Sequence, residues 1–154
     1  MASVAATPKL LWVRTLSGAV ATRVDPRGAD HVLAPASSDE ELGAAVLDAL
    51  ARSRYVGTDT ELGVEIERVR KHNEERLLEL APQFGYKNAR AVLRSMKFCP
   101  VVVMGKEILF RPTRHTGLEH WRYLPEEFVV RLASPAGERE VGRATRLALS
   151  RCTE

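Results

Sequence analysis

The residues able to do chemistry in this chain are scattered. The four histidines, His31, His72, His115 and His120, include no pair at HExxH or His-x-His spacing, the separations that aim two ring nitrogens at one metal ion. His115 and His120 have Glu119 beside them and could form a weak metal site, but the segment reads more economically as a surface loop. Arg111, Arg114, His115 and Arg122 cluster around a predicted strand end, where they could hold phosphate oxygens. The same charges suit a solvated strand edge protected from pairing with other sheets. Trp12 and Trp121 could stack bases on a β-surface, although a strand tryptophan more often packs in a core. No Gly-rich phosphate loop, GxSxG elbow or local Cys/His signature occurs, and no nucleophile is singled out with its base. The expectation is a protein without catalytic residues, metal or cofactor.

Cys99 and Cys152 stand alone, with no CxxC and no histidine cluster. Such cysteines read as buried thiols in a reducing compartment, with a disulfide between them as the alternative. Met1 to Leu16 lacks a basic segment followed by a long apolar run, and Lys9 and Arg14 interrupt what apolar character it has. No apolar stretch approaches the roughly 20 residues needed to cross a bilayer. These features predict a soluble protein of the cytoplasm.

The 154 residues suit one domain spanning 1–154, and 45% hydrophobic content supplies a core. Charged residues make up 28%, an ordinary globular level that excludes a disordered chain. The net charge of +3 and pI of about 9.1 are mildly basic, but Lys and Arg are interleaved with Asp and Glu. That pattern allows a nucleic-acid or acidic partner without requiring one.

The elements that must position these residues follow from periodicity and turn chemistry. Leu10–Leu16 and Ala19–Val24, joined at Ser17-Gly18, read as a β-hairpin, and His31–Ala34 as a third strand. Ser38-Asp39-Glu40-Glu41 is a capping box, followed by Leu42, Ala45, Val46, Ala49 and Leu50 on one stripe of a helix reaching about Ser53. Thr58-Asp59-Thr60-Glu61 opens a second, charge-laced helix that Pro82 and Gly85 end. Asn88–Met96 suits either a helix or a strand. Cys99–Met104 and Glu107–Arg111 form a hairpin about Gly105-Lys106, with further strands at His120–Leu124 and Phe128–Leu132. A helix over Glu138–Cys152 closes the chain.

The first and last of these helices superpose at a shift of 99 positions, Gly43 on Gly142, Ala45 on Ala144, Ala49 on Ala148 and Leu50 on Leu149. Both helices could simply favour Ala and Leu. Yet glycine in a first turn weakens a helix, so the matched glycines point to close backbone packing. A duplication would give an α+β fold of two antiparallel sheets, each followed by a helix, with the charged helix between the halves.

Several blocks carry a resemblance: Glu41-Leu42-Gly43 leading to Ala49–Arg54, Phe84-Gly85-Tyr86-Lys87, Ala91–Cys99, Pro112 with Trp121, and Glu140–Cys152. Together they are similar to one family of contact-dependent growth inhibition (CDI) immunity proteins. The resemblance implies a bacterial cytoplasmic protein that binds the C-terminal toxin domain of a cognate effector, often an RNA-cleaving nuclease, and covers its active site. It implies a protein partner, with no membrane or small-molecule substrate, and a fold like the Whirly nucleic-acid-binding proteins. The alternative is a single-stranded nucleic-acid-binding module of that fold.

Many immunity proteins are acidic, whereas this chain is net basic, so complementarity to a phosphate-binding toxin must be local, or the toxin is not strongly basic. Asp59, Glu61 and Glu65 form the best local acidic group and are the candidate partner-binding residues. Glu61 and Glu65 share a helix face at i to i+4 spacing. Acids are also favourable at any helix N-terminus, and Arg68 can neutralise Glu65.

Overall fold

The computed structural model describes residues 1–18, 22–54 and 59–153, with side chains described for 1–18, 22–54 and 67–153. The strands are β1 (Ala2–Ala6), β2 (Leu11–Ser17), β3 (Arg23–Val24), β4 (Asp30–Leu33), β5 (Lys97–Met104), β6 (Glu107–Phe110), β7 (Thr113–Gly117), β8 (His120–Tyr123) and β9 (Val130–Ala133). The helices are α1 (Asp39–Ala51), α2 (Asp59–Gln83), α3 (Ala89–Arg94) and α4 (Glu138–Arg151).

Among the described residues, seven strands form one antiparallel sheet in the order β3-β2-β1-β5-β6-β9, with β4 also paired to β2. β7 and β8 make a separate two-stranded ribbon. The fold is therefore α+β with antiparallel sheets, as the periodicities predict. The order is palindromic: β1, β2 and β4 run outward from the centre before α1, and β5, β6 and β9 run outward the other way before α4. The halves meet through β1 and β5 in one continuous sheet, where Ala2 pairs with Val101, its counterpart at the shift of 99. This arrangement is compatible with an internal duplication.

α1 forms as its sequence predicts. The Glu41 N–H donates to the Ser38 hydroxyl (3.1 Å) and the Ser38 N–H to the Glu41 carboxylate (2.8 Å). α2 extends through Pro82 to Gln83, and the Tyr86 N–H then donates back to the Ala81 carbonyl (2.8 Å). The Thr58 capping box lies outside the described residues. Asn88 settles the ambiguous segment as a helix, because its side chain accepts from the Ala91 N–H (2.9 Å) and fixes the N-terminus of α3.

The strands add to or depart from the periodicity in three places. β1 was not foreseen, since Ala-Ser-Val-Ala-Ala has weak strand propensity; it is a strand because β2 and β5 pair with it on both sides. The final strand begins at Val130 rather than Phe128, which closes a 3-10 turn by donating to the Pro125 carbonyl (3.0 Å). β2 does pair with β3, through Leu16 opposite Val24, but its longer partners are β1 and β4.

The sheet is covered on both faces, which explains why every residue of β2 is buried. Leu11 and Val13 join Ala2, Val4, Val101 and Phe110 beneath α1 and α4, where Leu42, Val46 and Val141 are fully buried. Burying each such side chain contributes roughly 1.5–3 kcal/mol. Trp12 points to the other face, packing with Leu80, Val92, Leu93 and Met96 beneath α2 and α3. Among the described residues no helix is long and apolar enough to cross a membrane.

Candidate functional site

Strand alternation puts Trp12 and Arg14 of β2 on the same face, opposite to Leu11 and Val13. Trp12 is 1% exposed, and its indole N–H donates to Asp30 Oδ1 (2.7 Å). Arg76 of α2 holds the same carboxylate, Nε to Oδ2 at 3.0 Å. Arg14 lays its guanidinium over the Trp12 ring, 3.7 Å from the centroid, and donates from Nη1 to Asn73 Oδ1 (2.8 Å). Among the described residues its buried Nε has no hydrogen-bond partner. Burial pulls Arg14 down to about 10, opposed by the Asp30 charge and reinforced by Arg76, so it remains a cation at neutral pH.

Arg14 and Trp12 form one wall of a cavity of about 590 Å³ between the sheet, α2, α3 and the β7–β8 ribbon. α2 contributes Val69, Arg70, Asn73 and Leu77, and α3 contributes Arg90 and Leu93. The far wall is Phe98, Leu118 and Trp121. Trp121 is fixed by donation from its indole N–H to the Met96 carbonyl (3.2 Å), by Phe98 at 5.2 Å and by His115 stacked at 5.0 Å. The result is an apolar, aromatic chamber with a buried cation in its wall and further arginines around it.

The basic cluster read from the sequence is divided by the fold. Arg114 and Arg122 become direct cross-strand neighbours in the ribbon, both exposed. His115 lies in β7 rather than a loop, half-buried against Trp121. Arg111 sits over Tyr123 (4.7 Å) and near Glu126 (3.9 Å). Among the described residues no three His, Cys, Asp or Glu side chains converge as metal ligands. Asp59, Glu61 and Glu65 fall in the first turns of α2, and their side chains lie outside the described residues. Arg14 belongs to no motif in the sequence. Its one signal is a charge two positions from a tryptophan inside an otherwise apolar strand.

These features define an α+β protein with helices over both sheet faces and an arginine-lined chamber beneath α2 and α3. The profile of the CDI immunity protein family matches residues 1–152, and the chain belongs to that family. It is 34% identical to Immunity protein CdiI-YPIII of Yersinia pseudotuberculosis, with 98% of this chain and 94% of that protein aligned. The immunity and toxin complex from Yersinia pseudotuberculosis contains a chain similar at a TM-score of 0.88 and 33% identity, over 98% of this chain and 95% of that one. A protein of unknown function from Neisseria meningitidis is similar at a TM-score of 0.88 and 30% identity, over 98% and 93% of the two chains. The family is one of immunity proteins, not enzymes.

Proposed function

We propose that this chain binds the C-terminal toxin domain of a cognate CDI effector in the cytoplasm and neutralises it by covering the active site. The carrying observation is the whole-length likeness both to an immunity protein of Yersinia pseudotuberculosis and to a chain of a solved toxin and immunity complex from that organism. The toxin is read as an RNA-cleaving nuclease, whose phosphate-binding surface calls for local carboxylates on the inhibitor. Asp59, Glu61 and Glu65, at the start of α2, are the proposed carboxylates.

Co-expression with the toxin domain encoded beside it, followed by co-purification, tests the pairing. The complex is expected at a one-to-one ratio with nanomolar affinity, in the range of tight complexes of standard interface size. Cleavage of RNA by the free toxin should cease at equimolar inhibitor. The arginines and tryptophans of the chamber favour one alternative, a single-stranded nucleic-acid-binding module. Binding of oligothymidylate as tight as binding of the toxin would support that alternative and overturn the first reading.

A further inference from the structure

We propose that the chamber between β2, α2, α3 and the ribbon receives an acidic side chain of the toxin domain, with Arg14 as its buried counter-charge. This deepens the toxin-binding reading above and rests on it. Three observations carry it.

The first is the state of Arg14. A buried guanidinium is expensive unless its donors and charge are matched. Here one donor reaches Asn73 while Nε has no partner among the described residues. The nearby Asp30 carboxylate is engaged by Arg76 and by the Trp12 indole. A carboxylate entering the chamber would supply what Arg14 lacks.

The second is the charge around the chamber. Arg23, Arg70 and Arg90 line it and make no ion pair among the described residues, whereas Arg76, Arg131 and Arg146 elsewhere are each paired. Glu74 and Glu119 also line it, so the rim carries a small positive excess. That balance suits a single carboxylate. The same two glutamates oppose a phosphate backbone, which brings one charge per nucleotide and needs an open track rather than a chamber.

The third is continuity with the proposed interface. Val69 and Arg70 follow Glu65 by about one turn of the same helix. A toxin seated against the start of α2 would therefore reach the chamber mouth. Carboxylates on α2 and arginines around the chamber would then meet opposite charges on one partner, an arrangement that fixes register as well as attraction.

The test measures association and dissociation of the full chain with the toxin domain encoded beside it, at low and high salt. Arg70 and Arg90 are exposed, so the double variant Arg70→Glu with Arg90→Glu keeps the fold. It is expected to slow association about tenfold at low salt, with the effect shrinking as salt rises. Arg14→Met is expected to speed dissociation by about tenfold or more. Where Arg14→Met fails to fold, the rim variant decides. Recovery of binding by the rim variant when a toxin glutamate or aspartate is replaced by lysine would identify the entering side chain. Rates within twofold of the parent for the rim variant would overturn the proposal. So would oligothymidylate binding by the parent that the arginine variants lose, since the chamber would then serve nucleic acid. A parent protein that fails to bind the toxin at all refutes the toxin reading itself, before any variant is made.

Discussion

Gly43 and Gly142 hold α1 and α4 in reciprocal backbone contact: a Cβ on Gly43 would lie 1.7 Å from the Glu138 carbonyl oxygen, and one on Gly142 would lie 1.9 Å from that of Asp39. The two contacts exchange under the shift of 99, since Asp39 corresponds to Glu138. Helix propensity alone would make alanine better than glycine by up to about 1 kcal/mol at either position. The contact reverses that preference, because a backbone oxygen can move away only if the helices separate. Gly43→Ala and Gly142→Ala should each destabilise the protein by about 1–3 kcal/mol, read as a lower urea midpoint. A gain in stability at either position would show that the helices are not so closely apposed.

Asp25 anchors the chain after β3. Its carboxylate accepts from Arg54 Nε (2.6 Å) and Nη2 (2.9 Å), from the Ser17 hydroxyl (2.8 Å) and from the Arg27 N–H (3.0 Å). The Arg54 hydrogen bonds, aided by Ser17 and Arg27 against the opposing effect of burial, hold it down at about 2. A depressed carboxylate stabilises the fold above the ordinary value near 4, and that stability is lost as pH falls toward 2. Asp25→Asn should therefore cost about 2 kcal/mol at neutral pH. The gap between parent and variant in urea unfolding should narrow as pH falls below about 4 and close toward about pH 2. A gap that persists at low pH would assign the effect to packing instead.

Cys99 and Cys152 are both free and buried, on β5 and at the end of α4. The neighbouring Cys152 thiol and burial both push Cys99 up, while the Cys99 thiol draws Cys152 below the ordinary value. A thiol drawn below its ordinary value usually reacts faster, but Cys152 is only 3% exposed. Labelling by a charged thiol reagent should be slow in native protein and immediate in denaturant. Rapid native labelling of either cysteine would contradict the burial.

The proposed acidic contact at the start of α2 can be tested apart from the chamber. Glu61→Lys with Glu65→Lys should slow association with the toxin and weaken neutralisation, less so at high salt. Unchanged association at low salt, with cells still protected, would place the interface away from those carboxylates.

Local chemistry by itself determined α1, α4 and the β5–β6 hairpin. Ser38 and Glu41 cap α1 through contacts within four residues, and the apolar stripe from Leu42 to Ala49 needs only the helical period to be read. The Cys99–Met104 and Glu107–Arg111 hairpin was legible for the same reason, as was the α+β class. The matched glycines of α1 and α4 stand out in the sequence as an anomaly, and close packing of the two helices explains them.

Tertiary structure alone decided what depends on neighbours distant in sequence. Ala2–Ala6 becomes a central strand because β2 and β5 supply its hydrogen bonds, not because its residues prefer that conformation. His115 is fixed by stacking on Trp121, six residues away across a ribbon turn that no local signal marked. Arg14 is the sharpest case. In sequence it is one charge in an apolar run; in the fold, α2 brings Asn73 over it and seals its guanidinium against Trp12. Burial is a property of the surrounding elements, and the chamber around Arg14 exists only once sheet, helices and ribbon have met.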